Sequence, residues 1–94
     1  MKTIAVFTKN RTNPAYDAAR LGADRAAALL GASTLHFVPE KFDDAEEQSA
    51  LIDEALALGP DAVVLAPVHA TRVNAAIARI GASGIPLFGM VNPI

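Results

Sequence analysis

Four short apolar runs punctuate the chain: TIAVFT at 3–8, STLHFV at 33–38, DAVVLA at 61–66 and IPLFGMV at 85–91. Each is rich in β-branched or aromatic residues and bounded by turn-prone ones, so each predicts a β-strand. Between them the period of the apolar positions changes. Residues 14–30 carry Tyr16, Ala19, Ala23, Ala26 and Leu30; residues 44–58 carry Leu51, Ile52, Ala55, Leu56 and Leu58; residues 70–82 carry Val73, Ala76, Ile77 and Ile80. Those spacings predict three helices, each with one face for a core. Punctuation agrees with the period. Asn13 before Pro14 suits a helix start, Asp44 followed by Glu47 has capping-box spacing, and Gly31, Gly59 and Gly84 fall where helices should stop.

The resulting order, βαβαβαβ, predicts an α/β fold: a three-layer α/β/α, doubly wound parallel sheet of flavodoxin-like type, with strand order 2-1-3-4 and helices on both faces. In such sheets ligands bind outside the carboxyl ends of the strands, near the point where strand order reverses. The polar loop Lys9–Asn13 leaves the first strand, which borders that point. It is the first candidate for ligand contact.

Composition narrows the chemistry. The 94 residues suit one domain, and with 52% hydrophobic and 19% charged residues the chain can bury a core. A net charge of −2 and no basic stripe argue against nucleic acid as a partner. The longest apolar stretch, AVVLAPV at 62–68, is far shorter than the ~20 residues of a membrane-spanning helix. With no cysteine there is no disulfide, thiolate nucleophile or Cys-based metal site. The loop TKNRTNP has no glycine, which excludes the dinucleotide fingerprint and the P-loop. Thr8 and Ala66, at the ends of the first and third strands, stand where a phosphoacceptor domain would need carboxylates. His36 and His69 lie a whole βα unit apart with no acid spaced to complete a metal set. The acids Asp43, Asp44, Glu46 and Glu47 read as the solvated first turn of the second helix. The sequence therefore predicts no enzyme and calls for no cofactor.

Three segments, in order and at their separations, carry a resemblance: NPAYDAARLGADRAAALLG, DDAEEQSALIDEALALGPDAVVLAPV and IARIGASGIPLFGM. The chain resembles the N-terminal lobe of type I periplasmic binding proteins, the sugar-binding solute receptors of ABC importers related to ribose- and galactose-binding proteins. The resemblance implies that residues 1–94 form a single, incomplete lobe. It implies a periplasmic receptor that holds a small polar solute such as a sugar between two lobes and delivers it to an ABC permease. In the family the Asn of Asn-Pro bonds a sugar hydroxyl and aromatics after it lie against the ring, which carries over to Asn13 and Tyr16. The chain departs from the family in having Ala15 before Tyr16, His69 in place of the usual acid after Ala-Pro, and Val91 and Asn92 in place of an Asp-Arg pair.

The expected ligand contacts are Lys9, Asn13, Tyr16, His69 and Asn92. His36 is expected to be structural, and Phe42 to pack under its loop. A second reading is the effector-sensing core of a transcription regulator, which shares this lobe and requires a helix-turn-helix ahead of it. A third is a structural or engineered fragment that binds nothing. Leu87 and Phe88 fall on a strand with one unpaired side, which predicts a homodimer through that edge or the sheet face beside it.

Overall fold

The computed structural model describes residues 2–9, 14–41, 44–66 and 71–89. Strands β1 (Lys2–Phe7), β2 (Ala32–Phe37), β3 (Ala62–Leu65) and β4 (Leu87–Gly89) alternate with helices α1 (Pro14–Leu29), α2 (Ala45–Ala57) and α3 (Asn74–Ser83). The strands form one parallel sheet in the order β2-β1-β3-β4, as the alternation requires. Helix α3 starts later than the period alone suggests. Thr71–Val73 form a turn closed by Asn74 N–H to Thr71 O at 3.0 Å, and the N-cap residue Val73 has no capping side chain. The expected N-cap Asn13 lies outside the described residues, as does Phe42.

Register divides the sheet into two unequal faces. Phe7 aligns with Phe37 on one side and Leu65 on the other, and Leu65 aligns with Gly89. Because side chains alternate along a strand, Ala5, Phe7, Val63 and Leu65 share one face. They pack with Ile52 and Ala55 of α2 and Ala76 and Ile80 of α3 to form the core. The Phe7 and Phe37 rings stack there, 5.0 Å between centroids. Burying each large apolar side chain contributes about 1.5–3 kcal/mol, so this face, under two helices, holds most of the hydrophobic stabilisation.

The opposite face carries Val6, His36, Val64 and Phe88 in one row. Helix α1 lies over β1 and β2, and Phe88 on β4 is 58% exposed. The expectation of a sheet covered on both faces therefore holds for three strands on one side and two on the other. The apolar phase of α1 also differs from the expected one. Tyr16 and Ala27 are its buried residues, while Ala26 is exposed and Leu30, just beyond the helix, is 80% exposed. An Ala-rich helix gives a weak apolar signal, and a cation, Arg20, occupies the inward stripe one turn after Tyr16. Its Nη1 donates to the Thr8 hydroxyl at 2.7 Å, and Asp24 accepts from the Thr34 hydroxyl and pairs with His36. Polar contacts dock α1.

Candidate ligand-binding mouth

The carboxyl ends of β1, β2 and β3 open onto one edge of the sheet. At the exit of β1, Thr8 is fully buried, with its N–H on Phe37 O at 3.3 Å and its hydroxyl accepting from Arg20. Arg20 also pairs with Asp17 in the first turns of α1. Lys9 follows, half-buried. At the exit of β3, Ala66 N–H donates to Phe7 O at 2.9 Å and Ala66 O accepts from Gln48 Nε2 at 3.0 Å.

The start of α2 faces the same edge. Asp44 is the N-cap, its carboxylate accepting from Glu47 N–H at 2.9 Å. A capping box would turn the Glu47 carboxylate back onto Asp44 N–H. Here it reaches further, accepting from Glu40 N–H at 2.7 Å and Lys41 N–H at 3.1 Å, while Asp44 N–H bonds Lys41 O. The loop leaving β2 is thereby tied to α2. Glu40, Lys41, Asp44, Glu46 and Glu47 line an open depression there. A second depression, lined by Lys2, Ile4, Leu30, Ala32, Asp61 and Ala62, lies at the opposite, amino end of the strands.

Of the five expected contacts, two fall on described residues. Lys9 stands at the β1 exit, and Tyr16 lies in the first turn of α1, 3% exposed, its ring already covered by the chain itself. Asn13, His69 and Asn92 lie outside the described residues. His36, expected to be structural, bonds Asp24 through Nε2 at 2.6 Å, and its Nδ1 is buried with no hydrogen-bond partner. Among the described residues, no group of three or more His, Asp or Glu is placed to hold a metal ion. Two residues that shape this edge are not singled out by the sequence, Arg20 and Gln48, and Thr8 stands out there only as a non-acidic residue at the end of the first strand. The signal available was a polar residue on an apolar stripe, Arg20 between Tyr16 and Ala27 and Gln48 before Ile52 and Ala55.

Lobes of this fold occur in known proteins. The periplasmic binding protein domain matches residues 4–93. The chain belongs to the periplasmic binding protein family. It is 35% identical over 85 residues to the D-apiose import binding protein of Paraburkholderia graminis, a match covering 90% of this chain and 27% of that protein. Among solved structures, an ABC transporter solute-binding protein from Agrobacterium vitis bound with α-D-tagatopyranose is 27% identical, with a TM-score of 0.87 over 95% of this chain and 30% of that one. A Brachyspira murdochii protein described as an ABC transporter, LacI family transcriptional regulator is 31% identical, with a TM-score of 0.87 over 99% of this chain and 29% of that one. The chain thus spans under a third of the length of these relatives.

Proposed function

We propose that this chain recognises a sugar, with D-apiose the leading candidate, as one lobe of the substrate-binding component of an ABC importer in the periplasm. The observation that carries the reading is the match to D-apiose import binding proteins along 90% of the chain, in a lobe whose strand exits present polar groups on one edge. Its role is non-catalytic: Lys9, Asn13, His69 and Asn92 contact the solute, Tyr16 being buried in the first turn of α1, and an ABC permease receives it. A lobe alone leaves the far side of the ligand in water, whereas sugar-sized pockets bury ~70–90% of their ligand. Affinity of the isolated chain is therefore expected to be no better than millimolar.

The test is a titration of the ¹⁵N-labelled chain with D-apiose, with D-tagatose and glycerol in parallel, followed by amide shifts. Saturable changes at Lys9 and the first turn of α1, larger for D-apiose than for glycerol, are expected. No saturable change with either sugar sinks the reading, and micromolar binding by the monomer refutes the one-sided site. A second reading, the sensing core of a transcription regulator, is favoured by the similarity to the Brachyspira murdochii protein. The full reading frame separates the two, since a regulator places a DNA-binding helix-turn-helix ahead of the lobe and a receptor a secretion signal.

A further inference from the structure

Gln48 is fully buried on the inward stripe of α2, with Ile52 and Ala55 continuing that stripe. A buried amide is costly unless its hydrogen bonds are made, and a leucine or methionine would fill the same space without that demand. What Gln48 adds is a donor. Its Nε2 holds the carbonyl of Ala66 at 3.0 Å, and Ala66 is itself fully buried. The register of β1 with β3 ends at Phe7↔Leu65, and Ala66 N–H closes it on Phe7 O. Ala66 O lies on the same side, past the end of that ladder, where the Gln48 side chain supplies a donor. The preceding residue does the equivalent for another strand, because the Glu47 carboxylate holds Glu40 N–H and Lys41 N–H in the loop that leaves β2. Two consecutive residues in the first turn of α2, itself fixed by the Asp44 cap, thus hold the exits of two strands on the ligand-facing edge.

We infer that Gln48 is a positioning residue of the sugar mouth: through Ala66 O it fixes the carboxyl end of β3. The inference rests on the sugar-recognition reading and names a residue that acts on it without touching the ligand. A strand end held before the ligand arrives loses less freedom on binding, so affinity depends on the brace. In Gln48→Met the stem keeps its packing while Ala66 O loses its donor in a dry site. The strand exit then shifts to recover a hydrogen bond, which is expected to weaken sugar binding about tenfold.

The experiment compares the wild-type chain, Gln48→Met and Ile52→Val, the last a packing change in the same helix that leaves Ala66 alone. Amide hydrogen exchange and D-apiose titration are measured at a temperature where all three are folded by their ¹⁵N spectra. Gln48→Met is expected to exchange about tenfold faster at the Ala66 amide, which bonds Phe7 O, and to bind D-apiose about tenfold more weakly. Ile52→Val is expected to lower the melting temperature with the Kd unchanged. Wild-type exchange and Kd in Gln48→Met overturn the inference, as does equal loss of affinity in Ile52→Val, which would make the effect one of general stability. If the wild-type chain shows no response to D-apiose, the sugar reading fails, and the exchange comparison alone decides the brace: acceleration confined to the β3 exit supports it, and unchanged exchange overturns it.

Discussion

Asp24 links α1 to β2 through a single carboxylate, bonded to the Thr34 hydroxyl and to His36 Nε2. Its carboxyl is held below its ordinary value near 3.8, chiefly by the Thr34 hydrogen bond and then by that of His36. A depressed carboxyl contributes stability that is fully present above the unfolded value and is lost as pH falls through the folded one. At neutral pH the chain is therefore expected to melt above Asp24→Asn, and the difference is expected to shrink as pH falls below about 4. Thermal melts of both proteins across the acid range check this, and a constant difference at every pH counts against the assignment. Arg20 makes a comparable single-residue link at β1, its guanidinium on the buried Thr8 hydroxyl.

At the scale of elements, α2 is the best specified and α1 the least. Helix α2 has a capping carboxylate at Asp44, two acids in its first turn, and an Ile52–Ala55 stripe buried in the core. The cap is expected to be worth about 0.5–2 kcal/mol, so Asp44→Ala should lower the urea midpoint accordingly while Asp44→Asn keeps most of the stability. Equal midpoints for Asp44→Ala and wild type would show that Glu47 N–H finds another acceptor. Helix α3 ends on Gly84 at φ 78°, a left-handed C-cap that a side chain adopts only with strain. Helix α1 buries only Tyr16 and Ala27, which is why its phase is set by hydrogen bonds rather than by its alanines.

For the molecule as a whole, the uneven covering of the sheet is the dominant feature. Edge strand β4 carries Leu87 at 37% and Phe88 at 58% exposure, on opposite faces. Phe88 shares its face with Val64 and Val6, the face over which α1 reaches β1 and β2. Apolar surface of this kind beside a strand edge that no other described strand pairs favours association, and the expected homodimer places it in a two-fold interface. Light scattering coupled to size exclusion at tens of micromolar is expected to give a dimer for the chain and a monomer for Phe88→Lys. A folded wild-type monomer at that concentration refutes the interface.

The sequence by itself determined the element order, the parallel sheet and the stops at Gly31, Gly59 and Gly84, because alternation of period two and period three-to-four is local and a positive φ is a property of one residue. It also determined the family, which the domain match over residues 4–93 bears out. Burial of Val73, Ala76 and Ile80 was legible for the same reason, since apolar residues at helical spacing leave one choice of inward face. Only the tertiary structure decided that Arg20 and Gln48 point inward and that Glu47 reaches past its own helix to Glu40 and Lys41. Each of those placements depends on a partner on another element, Thr8, Ala66 or the loop after β2. A polar side chain turns into a core only where such a partner offsets its lost hydration, and no local pattern records where that partner will be.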